Sequence, residues 1–480
     1  MKKKIRIYSV VMVICFLFCA LLSAVSGKSV TDGSSSDIFL SKKETIRLWY
    51  DDEALNDYLL EEAVEFNNSH KKVRLEVTNV SAIEYLETIS NASAGEDVYP
   101  DLYIVTNDSL EKAYLSGLAS NIESDILNSD EYPEAALSSV TYKGSYIAYP
   151  YYYETSTLLY NKTYLRKAAK EMLEEESSSG DDSAKDSSSN EITDEQIEGK
   201  MEELLPSSIS DIITFAESYN APETLEAVFK WDVSDIFYNF FVVGNYLNIG
   251  SETGDDKDNI DIYNENTITC MQLYSELNQF FAIDSEQISY DSVIEDFING
   301  KILFTIATTD VLNTIQEAKD EGICDYEFGV CKMPSLTSEY DTRTMSVTRC
   351  IVVNGYSENK TYANEVATWL CTRNDDNMYN LAGKVSANKN VIHDDSNLDM
   401  FYEAYSDSVP MPKMIGTSNF WMQLEIAFEK IWDGEDSNET LKAVSEQIKK
   451  QVYGEEITED TIEVPEKSFI SNEYEDSGIS

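Results

Sequence analysis

The chain has 480 residues, of which 88 are acidic and 36 are Lys or Arg, so its formal net charge at pH 7 is −52. A surface this acidic repels a phosphate backbone and an anionic membrane surface, which excludes nucleic-acid binding as a function. Hydrophobic residues make up 42% of the chain and aromatic residues 11%, which is ample material for a folded core and excludes global disorder.

The N-terminus predicts an export signal. Basic residues precede an uncharged apolar run over residues 8–25, which ends in small side chains. This order is typical of a signal peptide, which we place at residues 1–26, followed by a Ser/Gly/Asp-rich linker at 27–43. The run is also long enough to cross a bilayer, so a retained N-terminal anchor is the alternative. Both interpretations predict an extracellular protein, secreted or attached to the cell surface.

Strand and helix patterns alternate at the start of the body. The apolar spacing predicts strands at 46–50, 73–77 and 102–105, with helices at 55–66, 83–89 and 110–118 between and after them. Such alternation indicates a parallel sheet covered by helices, that is, an α/β fold. Ligands of such sheets bind beyond the carboxyl ends of the strands. The candidate ligand residues at this edge are Trp49, Tyr50, Asp51, Asp52, Asn107 and Asp108.

The rest of the body adds further α/β elements and two biased segments. An aromatic stretch at 146–155 and apolar helices near 237–243 and 270–281 precede strands at 302–306 and 350–353 and helices at 363–371, 420–432 and 440–452. Residues 171–203 form an acidic, Ser-rich insertion, whose centre we expect to be solvated and mobile between helix ends. Residues 456–480 form an acidic tail that we expect to be frayed, and residues 254–258 read as an exposed acidic loop.

The cysteines and histidines favour neither a disulfide framework nor a metal site. Five cysteines follow the leader, an odd number at scattered positions, which predicts buried thiols and leaves one bridge open, Cys324–Cys331 or Cys331–Cys350. The two histidines, His70 and His393, have no partner at metal-binding spacing. We therefore predict no metal and no cofactor.

Several loose motifs occur in a familiar order. They are Pro100-Asp101-Leu102 before Ser116-Gly117-Leu118-Ala119, Lys143-Gly144 before Tyr149-Pro150, Glu154 and Tyr160-Asn161-Lys162, then Asn299-Gly300-Lys301, and finally Met411-Pro412 before Phe420-Trp421. Together they resemble the carbohydrate-type extracellular solute-binding proteins of ABC importers, the maltose-binding-protein-like family. The matches span residues 46–452.

The resemblance implies a two-lobed, type II periplasmic-binding-protein-like fold. It implies hinge strands with a ligand cleft between the lobes, lobe I at 44–149 and 311–347, and lobe II at 150–306 and 348–455. Hinge closure around a small solute would present the loaded form to a permease. The implied partners are that solute and an ABC permease in the membrane, and the expected state is a monomer.

A sugar site needs aromatic planes and carboxylate or amide acceptors. The aromatic stretch offers Tyr151, Tyr153 and Glu154, and by resemblance Glu154 stands where relatives hold a sugar hydroxyl. By the same resemblance, Trp421 stands where relatives stack a sugar ring, and Trp231 lies just before a helix that carries a cleft aromatic in relatives. Asp310 stands where the maltose-binding relatives place a stacking aromatic, which puts maltose itself in doubt. For each aromatic residue, core packing is the competing interpretation.

The expected function is capture of a small solute, most simply a sugar or oligosaccharide, without catalysis. The chain has no Gly-x-Ser-x-Gly elbow, Walker loop, His-Glu-x-x-His or dinucleotide fingerprint. A glycoside-acting enzyme remains open because paired carboxylates in a cleft hydrolyse glycosides. A surface adhesin or sensor on the same fold is the other alternative. The acidity disfavours an anionic solute in the cleft, so a neutral sugar leads and a cationic solute is the reserve.

Overall fold

The structure is a computed structural model, and it describes residues 43–95, 98–179 and 192–469. The predicted signal peptide, the linker before Lys43, the centre of the acidic insertion and the end of the tail lie outside the described residues. Within the described ranges, no helix combines the length and the apolarity that a membrane crossing requires.

Helices and strands alternate along the described chain, as expected for an α/β fold. The helices are α1 Asn56–Ser69, α2 Tyr85–Gly95, α3 Leu110–Leu115, α4 Glu134–Val140, α5 Lys162–Ser179, α6 Asp194–Glu203, α7 Ile209–Ser218, α8 Ile236–Asn239, α9 Glu265–Phe281, α10 Tyr290–Ile298, α11 Val311–Asp320, α12 Lys360–Cys371, α13 Asn377–Ala382, α14 Ser396–Ser406, α15 Phe420–Trp432 and α16 Ser437–Tyr453. The strands are β1 Glu44–Tyr50, β2 Val73–Asn79, β3 Leu102–Thr106, β4 Thr141–Tyr142, β5 Ser145–Tyr146, β6 Tyr149–Asn161, β7 Ala227–Phe229, β8 Asn248–Ile249, β9 Ile260–Asp261, β10 Ile302–Thr308, β11 Phe328–Cys331, β12 Met345–Val353, β13 Val385–Ser386 and β14 Val409–Pro410.

The predicted parallel sheet is confirmed at the start of the body. β1 pairs in parallel with β2 along its whole length, and with β3 on its other side. Ile46, Leu48 and Tyr50 alternate into the core under α1, because successive residues of a strand point to opposite faces. The helix predicted at 237–243 is the one clear difference in type. It is a single α-turn, α8, followed by a short 3-10 turn.

One long strand, β6, joins two half-sheets. Its first part, through Thr155, pairs with β12, which in turn pairs with β3. Its second part, from Ser156, pairs with β10, and from Leu158 also with β11 on its other side. We call β1, β2, β3, β12 and the first part of β6 the first half-sheet, and the second part of β6 with β7, β10 and β11 the second half-sheet.

The strand pairing corrects the predicted lobe boundaries. β11 lies within 311–347, predicted as lobe I, but it pairs in the second half-sheet. β12 extends past residue 348, where lobe II was predicted to resume, but it pairs with β3 in the first half-sheet, and α12 packs beside it. A run such as Cys350–Val353, buried on both faces, marks a central strand. The sequence of this run does not indicate which half-sheet the strand joins.

A buried lysine ties the chain together where the half-sheets meet. Lys413 follows β14, is 0% exposed, and donates from Nζ to the carbonyl oxygens of Ser138 in α4, at 3.0 Å, and of Thr253. The neighbouring Gly254 has φ +64°, and a Cβ there would lie 2.7 Å from the Cα of Pro412. Gly254, at the start of the 254–258 loop, is therefore packed, whereas residues 256–258 are exposed, as expected.

The cysteines resolve the disulfide question left open by the sequence. Cys270, Cys324, Cys331, Cys350 and Cys371 are all free thiols, so neither candidate bridge forms. Burial raises the pKa of Cys270 and of Cys331 to about 12. These cysteines serve as small packing residues.

The first part of the tail is packed, where a frayed segment was expected. Glu459 accepts hydrogen bonds from Ser445 and Lys449 of α16, both at 2.6 Å. Further along, Phe469 is 7% exposed, its ring meets Phe280 edge-on at 6.1 Å, and its N–H donates to Glu276. The acidic composition of the tail did not predict these contacts, because two or three apolar side chains are enough to hold a segment against the rest of the protein.

The buried lysine gives a pH-dependent prediction. Burial lowers the pKa of Lys413 from 10.5 to about 8, although Asp255 and Glu111 oppose this shift. Between about pH 8 and 10.5 the unfolded chain binds the extra proton, so this group makes the free energy of unfolding rise with pH, by on the order of 3 kcal/mol in total. In urea titrations, we expect the unfolding free energy of wild type minus that of Lys413→Met to increase over that pH window. Curves that stay parallel, as expected for the exposed Lys257→Met, would contradict the buried-charge account.

The tail gives a stability prediction. Phe469→Ala removes a buried aromatic side chain and should lower the free energy of unfolding by about 3 kcal/mol. Removal of residues 455–480 should cost more, since it also removes the contacts of Glu459. The exposed Glu463→Ala should change stability by less than about 0.5 kcal/mol. Equal melting temperatures for Phe469→Ala and Glu463→Ala would show that the tail is not held by this anchor.

Candidate functional site

Charged and aromatic side chains meet at the carboxyl end of β1. Asp51 and Asp52 follow that strand directly, and Tyr152 and Glu154 come from the first part of β6. Two cations join them, Arg349 from β12 and Lys384 from the segment between α13 and β13. We call these six residues, Asp51, Asp52, Tyr152, Glu154, Arg349 and Lys384, the charged cluster.

The two aspartates are held by different donors. Arg349 Nη1 donates to Asp51 Oδ1 at 3.0 Å, with both side chains about a quarter exposed. Asp52 caps the short 3-10 helix that follows β1, accepting from the Ala54 N–H at 3.0 Å. Its other oxygen accepts the Tyr152 hydroxyl at 2.8 Å. The pair therefore stands in fixed orientations at the end of the strand.

Lys384 bridges two acids across the cluster. Its Nζ lies 3.0 Å from Glu154 Oε1 and 3.5 Å from Asp52 Oδ2. The same ammonium sits over the ring of Tyr152, 5.7 Å from the ring centroid. Lys384 and Asp52 are each 19% exposed, whereas Glu154 is 42% exposed. Glu154 is thus the acid with the most surface free for a ligand.

The pKa shifts follow from these contacts. Burial alone would raise the pKa of Asp52, but Lys384, the Tyr152 hydroxyl and the Ala54 N–H together lower it below its usual value. Burial alone would lower the pKa of Lys384, but Glu154 and Asp52 raise it. The pKa of Tyr152 is raised by burial and by Asp52, although Arg349 opposes this. At neutral pH the carboxylate of Asp52 is therefore charged, beside the charged ammonium of Lys384 and the neutral phenol of Tyr152.

Three of the six residues were not among the sequence candidates. The sequence pointed to Tyr151 and Tyr153, but alternation along β6 places Tyr152 and Glu154 on one face and their neighbours on the other. Because alternate residues of a strand lie on the same face, the position of Glu154 would have predicted that Tyr152 lies beside it. Arg349, from β12, and Lys384, from the segment before β13, are both far from the other cluster residues along the chain. Short-range spacing contains no signal for such contacts.

Four predicted residues, Tyr50, Tyr151, Tyr153 and Trp231, are buried and packed in the core. Tyr151 and Tyr153 are 1% and 0% exposed, and Tyr153 stacks on Tyr405 at 3.9 Å. Trp231, 0% exposed, stacks on Phe229 and donates to an asparagine, and Tyr50 donates to Asn56.

Asn107 is also fully buried and is committed to the backbone. It donates to the Met411 carbonyl at 2.7 Å and accepts from the Thr348 N–H at 3.1 Å. Its amide therefore fixes the segment after β14 against β12. This role explains why a polar residue occurs at the end of β3 without facing a ligand.

The other candidates lie outside the cluster. Trp49 is half-buried beside the core, Asp108 is exposed and accepts from Thr106, and Asp310 is exposed at the start of α11. Trp421 packs edge-on against Phe240 at 5.5 Å and lines a separate cavity of about 230 Å³. The structure thus brings Asp51, Asp52 and Glu154 together and leaves Trp421 at another surface.

The fold and the position of the cluster define a class of protein. The two half-sheets that share one long strand match solved maltose-binding proteins over most of the chain, so the predicted type II periplasmic-binding-protein-like fold is confirmed. A family model described as bacterial extracellular solute-binding protein matches residues 62–400. The chain belongs to this family of bacterial extracellular solute-binding proteins.

Solved structures with the same fold support this assignment. An extracellular solute-binding protein from Staphylococcus aureus in complex with maltose is 17% identical, with a TM-score of 0.67 over 86% of this chain and 99% of that chain. A cyclo/maltodextrin-binding protein complexed with maltotetraose is 17% identical, with a TM-score of 0.67 over 87% and 99%. The maltose-binding periplasmic protein of Listeria monocytogenes is 19% identical, with a TM-score of 0.64 over 87% and 100%. A search of curated proteins found no match.

The charged cluster gives a pH prediction. Because the pKa of Asp52 is lowered in the folded state, its contribution to stability is present above its unfolded pKa of 3.8 and is lost as pH falls through the lower folded value. At pH 7, Asp52→Asn should lower the free energy of unfolding by about 2 kcal/mol, because a charged acceptor is lost. This deficit should shrink as the pH falls below 3.8.

The measurement is urea unfolding of both proteins at several pH values between 2.5 and 7. The exposed Asp57→Asn on α1 serves as the matched control and should change stability little at any of them. A deficit for Asp52→Asn that is independent of pH would contradict the assignment of Asp52 as a charged anchor.

Proposed function

We propose that this protein captures a neutral sugar or oligosaccharide at the charged cluster and delivers it to an ABC permease. The single observation that carries the proposal is Glu154: it stands at the carboxyl-end edge of the first half-sheet, its side chain is 42% exposed, and Lys384 fixes it at 3.0 Å. A carboxylate fixed in this way accepts hydrogen bonds from sugar hydroxyls.

The charge of the cluster supports a neutral solute. Three acids, Asp51, Asp52 and Glu154, face two cations, Arg349 and Lys384, and the ion pairs among them leave one net negative charge. An anion would be repelled by this negative charge and by that of the whole chain. A cationic solute would have to compete with Lys384 for the same carboxylate oxygens. Hydroxyl groups donate to the remaining lone pairs without displacing either cation.

Family membership supports a binding role in place of catalysis. Solved structures with this fold include an extracellular solute-binding protein in complex with maltose and two proteins named for binding maltodextrin or maltose. Delivery to an ABC permease, an extracellular location and either a cleaved signal or a retained anchor belong to the same proposal. Closure of the two halves around the sugar follows if the sugar binds the closed form more tightly, because only such a difference shifts the population.

The test is isothermal titration calorimetry of the folded protein with maltose, maltotriose and maltotetraose, with an amino acid and a polyamine as comparison solutes. We expect stoichiometric binding of at least one sugar. Glu154→Gln should weaken that binding by about tenfold or more, because it removes a charged acceptor. Glu358→Gln, an exposed acid at the other end of β12, should leave the affinity unchanged.

Three outcomes would contradict the proposal. Absence of binding to every sugar would remove the carbohydrate assignment. Binding of the polyamine in preference to all sugars would indicate a cationic solute. Hydrolysis of an aryl glycoside by wild type, lost in Glu154→Gln, would indicate a glycoside-acting enzyme on this fold.

A further inference from the structure

A second cavity lies at the second half-sheet, lined by parts of α5, α6, β11 and α14. Its volume is about 770 Å³, within the range of small-molecule sites. None of the charged-cluster residues lines it. Its charged lining residues are Lys162, Arg166, Lys167, Lys170, Glu198 and Glu327.

The charge of this cavity runs against that of the protein. Over the whole chain, 88 acids outnumber 36 bases, but here four cations face two carboxylates. Lys162, Arg166 and Lys170 recur every four residues, so they lie along one face of α5. The net charge of the cavity lining is therefore opposite in sign to the net charge of the chain.

Two of the cations are available to a ligand. Glu198 pairs with Arg166 and lies 3.5 Å from Lys162 Nζ, so those two are already engaged. Among the described residues, Lys167 pairs with the partly exposed Glu171 at 3.7 Å and Lys170 with the exposed Glu174 at 3.8 Å, each one turn further along α5. Surface pairs of that kind contribute little and exchange readily for a better anion.

The rest of the lining of this cavity consists of Glu327 and an apolar wall. Glu327 is already paired with Lys319 at 3.3 Å, so it does not neutralise the α5 cations. The apolar wall is formed by Ile197, Phe328, Val330 and Met400. At Gly329, a Cβ would lie 2.4 Å from the ring of Tyr160, so the ring packs directly on the backbone of β11.

We infer that this cavity binds a small organic anion with an apolar body. The acid group meets Lys167 and Lys170, and the apolar body packs on the wall that β11 and α14 provide. The site is independent of the proposed sugar site, because the two share no residue. A neutral sugar offers neither the charge nor the apolar surface that this cavity favours.

The test uses 8-anilinonaphthalene-1-sulfonate, an aromatic sulfonate, as the probe in fluorescence titrations of the full chain. We expect saturable binding by wild type and a loss of affinity of about tenfold in the double variant Lys167→Gln and Lys170→Gln. The matched control is Lys430→Gln with Lys450→Gln, which removes two exposed, carboxylate-paired cations from α15 and α16. The control should change affinity by less than twofold.

A second arm separates charge from apolar contact. Met400→Glu places a carboxylate on the apolar wall and should abolish probe binding, while the uncharged N-phenyl-1-naphthylamine should bind wild type and the lysine double variant equally. Circular dichroism checks that each variant is folded. The inference is overturned if wild type does not bind the sulfonate, if both double variants lose affinity equally, or if binding survives Met400→Glu in a folded protein.

Discussion

The hydrogen bonding of β6 is the constraint on which the rest of the structure depends. A single strand of 13 residues pairs first with β12 and then with β10 and β11, so the backbone groups of one segment are satisfied by both half-sheets. Every residue of β6 except Glu154 is buried. Because the strand is continuous, its alternation sets which side chains enter the core and which reach the charged cluster.

The charged cluster is a consequence of that alternation. Tyr151 and Tyr153 pack in the core, while the buried Tyr152 donates its hydroxyl to Asp52, which follows β1. Glu154 is the one residue of β6 that is not buried. Acids so close to one another repel unless cations separate them, and Lys384 supplies that separation. The negative charge of the chain is thus balanced in part at the cluster, where two cations face three acids, and reversed at the cavity beside α5, where cations outnumber acids.

Much of the fold was accessible from the sequence because its signals are local. The strands at the start of the body, the helix α15 and the parallel order of the first strands follow from apolar periodicity. The lobe boundaries, the packed tail and the packed start of the 254–258 loop did not follow. Each depends on contacts between segments that are distant along the chain, such as Lys413 with Ser138 or Phe469 with Phe280.

For the site, composition indicated acids and aromatic residues but not their roles. Strand ends located Asp51 and Asp52, because the carboxyl edge of a parallel sheet is a local feature. Glu154 was indicated by the aromatic stretch and by the resemblance to the family. Packing alone decided that Trp231 and Asn107 are buried and that Arg349 and Lys384 join the cluster. The sequence by itself therefore determined the α/β class and the acid residues at the edge. The tertiary structure decided the partners of those acids, since periodicity encodes which face a residue occupies and not which distant residue lies opposite.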